Sequence, residues 1–368
     1  MYAQRLSRLK QIMQAHEFDA LTLNPGPSLV YLTGLSFHLM ERPVVAILSS
    51  SSDPILILPE LERARAEACP LPLSLYSYTE SEQDRRQAFH KALQSDHLAT
   101  ARIGTEPLHL RLLEYQYLQE AAPNAHFEPA QDLLTALRWQ KDESEIQAMR
   151  KAVEIAEAAF LATIANIEPG QTERQIANEL TIQLLRAGSE PELPFEAIVA
   201  SGPNSALPHA TPSSRQIQPG DLVIIDWGAR WHGYVSDITR TLAIGEIAPR
   251  LRQIHGHVLQ ANQAGRDASQ PGSLTRDVDD AARQMIDQAG FGDYFIHRTG
   301  HGIGLEAHEA PYISQDDTTR LEAGMAYTVE PGIYLPGEGG VRIEDNVVIT
   351  NQGHLCLTTL DRKLYEIL

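Results

Sequence analysis

Four carboxylates that border apolar runs, Asp226, Asp237, Glu330 and Glu344, and one imidazole set between glycines, His301, are the residues whose types and spacing could do chemistry in this sequence. Asp226 follows Leu222-Val223-Ile224-Ile225, and Glu330 follows a run containing Tyr327 and Val329. Glu344 follows Val341 and Ile343 and precedes Val347-Val348-Ile349, a pattern that predicts a mid-strand position. A single acid of this kind could be an edge-strand charge facing water; four of them together argue against that. Like charges cannot share a buried site unless they are protonated or neutralised by cations. Four oxygen donors and one nitrogen serve two divalent cations if two of the carboxylates bridge. The set is too hard for a structural zinc site, which prefers thiolate and imidazole, and it suits Mn²⁺, or Co²⁺ or Fe²⁺ in its place. Two such ions about 3.5 Å apart can hold a bridging hydroxide and stabilise the oxyanion of acyl transfer.

Two further histidines fit that chemistry. His308 lies seven residues after His301, across Gly302-Ile303-Gly304-Leu305, and His209 sits in a loop rich in Gly, Pro and Ser. A loop histidine alone is usually surface decoration; the neighbouring constellation is what raises these two. Other motifs fall away. The Gly300-x-Gly302-x-Gly304 run has the wrong spacing for a dinucleotide loop. His308-Glu309 does not begin an HExxH motif, because Tyr312 stands in the fifth position. His255 and His257 diverge on a predicted helix and make no ligand pair.

The elements that must position these residues repeat themselves. Pro169-Gly170 opens a segment closed by Ala187-Gly188, and Pro271-Gly272 opens one closed by Ala289-Gly290, an offset of 102 residues. Ile176, Leu180 and Leu184 align with Val278, Ala282 and Ile286. The runs leading into Asp226-Trp227-Gly228 and Glu330-Pro331-Gly332 echo each other at an offset of 104. Two echoes at nearly one offset predict a duplicated half-domain whose pseudo-twofold axis gathers the four carboxylates. A long amphipathic helix, with Ile146, Met149, Val153, Ala156, Phe160, Ile164 and Ile167 on one face, is predicted to open this region and to end at Pro169-Gly170. Before it, residues 20–24, 30–33, 44–50 and 55–59 read as strands. Residues 4–16, 81–93 and 107–120 read as helices. The expected organisation is an α/β domain over residues 1–137 and a catalytic domain over 138–368.

The hydrophobic and charged fractions, 43% and 21%, are those of a globular protein. A net charge of −18 repels phosphate backbones and excludes nucleic acid as an expected partner. Two widely separated cysteines exclude a disulfide framework. Residues 1–20 carry charges where a secretory signal would be apolar, and no apolar run is long enough to span a bilayer. The expectation is a cytoplasmic protein with no membrane partner.

Ile225-Asp226-Trp227-Gly228, Ser236-Asp237-Ile238-Thr239-Arg240, Gly300-His301-Gly302-Ile303-Gly304-Leu305, Thr328-Val329-Glu330-Pro331-Gly332-Ile333-Tyr334 and Val341-Arg342-Ile343-Glu344-Asp345 together resemble a known family. It is the metallopeptidase family of aminopeptidase P, Xaa-Pro dipeptidase (prolidase) and methionine aminopeptidase. The resemblance implies an α+β pita-bread catalytic domain behind an α/β creatinase-like N-terminal domain. It implies that Asp226 binds one metal, that His301 and Glu330 bind the other, and that Asp237 and Glu344 bridge both. A bridging hydroxide would attack the scissile carbonyl, and Glu330 would shuttle the proton to the leaving imino nitrogen. His308 and His209 would orient substrate and stabilise the tetrahedral intermediate, Arg342 would hold a ligand carboxylate or the substrate terminus, and His297 would stand behind them. The implied substrate is a proline-containing di- or oligopeptide and the implied assembly a homodimer. Xaa-Pro dipeptidase is favoured. Aminopeptidase P acting on longer peptides is the alternative. A creatinase-like amidinohydrolase and a non-catalytic peptide binder are disfavoured by the complete ligand set, and methionine aminopeptidase by the N-terminal domain.

Overall fold

The computed structural model describes residues 1–96 and 98–368, and the chain packs as two compact units, Met1–Arg138 and Trp139–Leu368. Among the described residues no helix is long and apolar enough to cross a membrane.

The first unit is built on a six-stranded mixed sheet. Its spatial order is Ser74–Tyr78, Ile55–Pro59, Val45–Ser49, Ala20–Leu23, Arg102–Thr105 and His126–Pro129. Val45–Ser49 and Ile55–Pro59 are buried throughout, as unbroken apolar runs require. Helices Glu82–Ser95 and Leu112–Ala121 pack Phe89, Leu93 and Leu118 into one core with Val45, Ile47, Ile57 and Ile103. The expected strand over 30–33 is instead part of a helix, Pro27–Thr33. Pro27 fits the first helical turn, where its missing N–H costs nothing, and Gly34 ends the helix in the left-handed conformation at φ 75°. The apolar residues there satisfy a helical face as well as a strand. The helix expected over 107–120 begins only at Leu112, because His109 and Leu110 turn back to donate to the Glu106 carbonyl.

The second unit opens with helix Glu143–Ile164. Asp142 caps it by accepting from the Glu145 N–H at 3.0 Å, while the Glu145 carboxylate accepts from the Asp142 N–H at 2.8 Å. The helix stops five residues before Pro169, where the Asn166 amide donates to the Ala162 carbonyl at 2.9 Å. Trp227 fastens it to the sheet beneath: its ring stacks on Phe160 at 4.5 Å and its indole N–H donates to the Ala156 carbonyl. A fully buried indole with its one donor satisfied is among the strongest packing contacts a single side chain supplies.

The duplication is visible element by element. Helices Glu143–Ile164 and Glu173–Ala187 in one half correspond to Pro249–Ala268 and Thr275–Gln288 in the other. Ile176, Leu180 and Leu184 are buried, as are Val278, Ala282 and Ile286. Three neighbouring strands, Ile198–Ser201, Leu222–Trp227 and Ile238–Ile244, match Gly300–Gly302, Ala326–Val329 and Asp345–Thr350 in the same spatial order. Even the isolated bridges recur: Thr172 pairs with Gln216, and Leu274 with Arg320.

Candidate metal centre

Each half of the second unit delivers two acids to the line where the halves meet. Asp226 lies in the fully buried strand Leu222–Trp227, opposite Thr239. Glu330 follows strand Ala326–Val329 and is anchored by donation from its N–H to the Thr299 carbonyl at 2.8 Å. Glu344 is not mid-strand. It occupies the break between Gly339–Arg342 and Asp345–Thr350, strands of different sheets. Its N–H crosses to the Thr239 carbonyl of the other half at 3.1 Å, and the Thr239 hydroxyl donates to its carboxylate at 2.7 Å. Asp237 is held from the opposite direction: its N–H donates to the Asn346 side-chain oxygen at 3.1 Å, and the Asn346 amide returns a bond to the Asp237 carbonyl. The residue two positions after each of these acids therefore holds the other acid. The wording Asp-x-Thr and Glu-x-Asn at an offset of 107 carried that signal, and the motifs alone did not reveal it.

His301 is placed by its glycines. A Cβ at Gly300 would collide with the Thr328 carbonyl oxygen, and one at Gly302 with the Ala310 carbonyl oxygen, so only glycine permits this close packing. The His301 Nε2 then lies 3.2 Å from Glu330 and 3.7 Å from Asp237. Asp226, Asp237 and Glu344 bring ligand atoms within 4.8 Å of one another, and so do His301, Glu330 and Glu344. The nine residues singled out from sequence, Asp226, Asp237, His301, Glu330, Glu344, His209, His297, His308 and Arg342, all line one cleft of about 550 Å³.

The electrostatics of this cluster are those of an anion-rich site. Burial, with repulsion from Glu344, Asp226 and Glu330, holds the Asp237 carboxyl well above the usual range. Glu344 is raised by burial and by Glu330 and Asp226. Asp226 is raised by burial, which outweighs the neighbouring Arg342. Burial also acts upward on Glu330, but the hydrogen bond and charge of His301 bring it down to about 2. One carboxylate oxygen of Asp226, Oδ1, is buried and has no hydrogen-bond donor among the described residues. An orphaned anionic oxygen beside three further carboxylates and an imidazole fits divalent cations bound by hard donors.

Of the two partners expected for Arg342, a carboxylate of the cluster and the substrate terminus, the structure gives it the first. Its guanidinium donates to Asp226 at 2.6 Å, to the Tyr334 hydroxyl at 2.9 Å, to Thr239 at 3.1 Å and to the Pro208 carbonyl at 3.2 Å. One of its five N–H groups is left over, and its charge is engaged by Asp226. Tyr334 accepts from Arg342, so its own proton goes to the His297 Nε2 at 2.9 Å. The His297 Nδ1 then carries the proton that bonds the Arg298 carbonyl at 2.7 Å. Burial lowers the pKa of His297, which keeps this tautomer neutral.

His308 projects into the cleft with its ring centroid 3.8 Å from that of His301. Surrounding protein and the nearby His301 bring its pKa down to about 4, although part of the ring meets solvent. The next residue, Glu309, is tied by a buried ion pair to Lys141 at 2.5 Å. His209 is held through a residue that sequence reasoning passed over. The Glu173 carboxylate is fully buried and accepts from the backbone and hydroxyl of Ser201 and Ser213 and from the Asn204 amide, clamping both ends of the His209 loop. Burial alone would raise the Glu173 pKa, but the bonds from Ser213 and Ser201 together lower it. Its contribution to stability is therefore present above the usual glutamate range and lost as pH falls through its depressed value. Glu173→Ala is expected to destabilise the protein by roughly 3 kcal/mol, since it strands several buried donors; urea denaturation at pH 7 measures this. Asp345 closed one of the quoted motifs but was given no role there. It is buried between Arg240 and Arg362, and the Arg240 guanidinium also grips the Glu344 carbonyl at 2.7 Å.

Comparisons with known proteins bear on the family of both units. Residues 147–351 match the metallopeptidase family M24, and residues 5–140 match the Creatinase/Prolidase N-terminal domain. An Xaa-Pro dipeptidase of Pyrococcus horikoshii is 35% identical over 366 residues, covering 98% of each chain. The crystal structure of a prolidase from Thermococcus sibiricus superposes with a TM-score of 0.95 at 33% identity, over 100% of this chain and 99% of that one. An X-Pro aminopeptidase from Thermotoga maritima superposes with a TM-score of 0.86 at 32% identity, over 98% and 99% of the two chains.

Proposed function

The chain belongs to metallopeptidase family M24, and on that premise we propose that it hydrolyses the Xaa-Pro bond of dipeptides with two divalent cations, preferentially Mn²⁺, held by Asp226, Asp237, His301, Glu330 and Glu344. The catalytic unit has the pita-bread fold, and the protein is a peptidase. The observation that carries the proposal is the convergence of five hard ligands and three further histidines in one cleft. When bound, the cations polarise the scissile carbonyl and lower the pKa of a water so that it is a nucleophile at neutral pH.

The protein's own groups divide the remaining work. Glu330, hydrogen-bonded to His301, carries the proton to the leaving prolyl nitrogen, a poor leaving group until protonated. His308, neutral at pH 7, offers one N–H to the carbonyl oxygen as charge develops there. His209 supplies a second contact to the substrate backbone. Arg342 fixes the Asp226 carboxylate, and Tyr334 and His297 brace Arg342 in turn.

His308→Ala is expected to lower kcat by roughly 10²-fold, the usual effect of losing one oxyanion donor. Because His308 is already neutral, the variant should keep the wild-type shape of the pH–rate profile between pH 6 and 9; steady-state rates across that range test both statements. The aminopeptidase reading is supported by the likeness to the Thermotoga maritima structure. Rates on Ala-Pro, Ala-Pro-Ala and Met-Ala-Ser with added Mn²⁺ separate the alternatives: exclusive cleavage of the dipeptide supports the dipeptidase, and preference for the tripeptide Ala-Pro-Ala supports the aminopeptidase. Mn²⁺ as native ion, a homodimer and a cytoplasmic location complete the reading. Elemental analysis, sedimentation velocity and cell fractionation test them in turn.

A further inference from the structure

With Arg342 committed to Asp226, one other arginine lines the cleft: Arg298. It is half-buried, and its backbone is fixed by the bond from the His297 ring to its carbonyl. Its guanidinium carbon lies 4.3 Å from the centre of the Tyr312 ring. Among the described residues no carboxylate pairs with it. Tyr312 is the cross-strand partner of His301 in the pairing of Gly300–Gly302 with Glu309–Ile313. Side chains of directly opposed residues share one face of a sheet, with Cβ atoms about 5 Å apart. Tyr312 therefore shelves a planar cation beside the imidazole that belongs to the metal cluster.

A dipeptide presents an anion at a fixed place. Its C-terminal carboxylate lies one residue beyond the scissile carbonyl, about 4 Å away, and an additional residue moves it outward by about 3.5 Å. An arginine stacked on an aromatic face keeps its in-plane N–H fork free for a bidentate carboxylate. We propose that Arg298 binds the free α-carboxylate of the substrate's C-terminal residue and thereby selects peptides that end one residue after the cleaved bond. This rests on the peptidase reading and adds to it the residue that recognises the substrate's end.

The test compares each acid with its carboxamide, Ala-Pro with Ala-Pro amide and Met-Ala with Met-Ala amide, for the wild-type enzyme, Arg298→Ala and Arg298→Lys with added Mn²⁺. The wild type should favour the acid, and Arg298→Ala should lower kcat/KM for the acid by about 10–100-fold, mainly through KM, erasing the preference over the amide. Arg298→Lys should recover part of that preference, since it restores charge without the fork. Equal losses on acid and amide would make Arg298 a structural residue, and an undiminished acid preference in Arg298→Ala would remove it from recognition. An enzyme that cleaves Met-Ala but no prolyl peptide would overturn the proline reading, while the acid-to-amide ratio on Met-Ala would still judge Arg298.

Discussion

Asp237→Asn is expected to reduce turnover by at least about 10³-fold, more than the loss of a single oxyanion donor, because it would remove a charged donor proposed to be shared by both cations. The asparagine keeps the size of the side chain, and the two bonds that tie residue 237 to Asn346 are made by its backbone. The fold should therefore survive. Burial and three neighbouring carboxylates oppose the ionised form of Asp237, so removing that charge relieves the cation-free protein of a like-charge repulsion. The metal-free variant should melt no lower than the metal-free wild type at pH 7, while binding less metal. Activity at saturating Mn²⁺, metal content and thermal melts of the stripped proteins give the three readings. A variant with wild-type turnover and two bound ions would place the catalytic cluster elsewhere.

Chelation is expected to abolish turnover and to reveal a pH dependence of stability that added Mn²⁺ removes. Asp226, Asp237 and Glu344 have pKa values raised in the folded protein. In the unfolded chain they titrate near the ordinary value of about 4. Above that value the folded state binds more protons than the unfolded state, so stability falls as pH rises towards the raised folded values. Glu330 has the opposite sign: its stabilisation is fully present above the ordinary carboxylate range and is lost only as pH falls towards about 2, so it adds no slope at higher pH. Between about pH 4 and 6.5 the lowered pKa values of His255, His297 and His308 act the other way, so the three raised acids set the slope above about pH 6.5. Divalent cations replace the protons these acids would hold, so binding should release protons and flatten the slope. Denaturation with chelator at pH 5, 6, 7 and 8, and binding calorimetry in buffers of different ionisation enthalpy, measure both. A stripped protein that gains stability from pH 7 to pH 8 would contradict the cluster's electrostatics.

The legible parts of the fold and site share one property: a single stretch of chain carried their signal. An acid closing a largely apolar run, as at Asp226 and Glu330, is costly unless something compensates it, and that cost can be read without knowing the partner. The buried stripes Ile176-Leu180-Leu184 and Val278-Ala282-Ile286 were legible through helical period, and their common offset announced the duplication. Short apolar runs were less informative. Residues 30–33 satisfy a strand or a helix equally, and the decision fell to Pro27 and Gly34 at their borders. Glu344 looked mid-strand because apolar residues flank it on both sides, yet its N–H finds its acceptor at Thr239.

The amino-acid sequence by itself therefore pointed to the side chains that cluster in the cleft, the class of chemistry and the two-half plan of the catalytic unit, because side-chain type and local period are properties of the chain before it folds. Tertiary structure alone decided that Thr239 and Asn346 hold each other's neighbouring acids, that Glu173 clamps the His209 loop, and that Arg342 faces Asp226 while Arg298, among the described residues, is left without a carboxylate. Except for the bonds between Glu173 and its loop, these partners stand more than a hundred residues apart. Which of several arginines meets which acid depends on how two strands from opposite halves come into register, and no local pattern encodes that pairing.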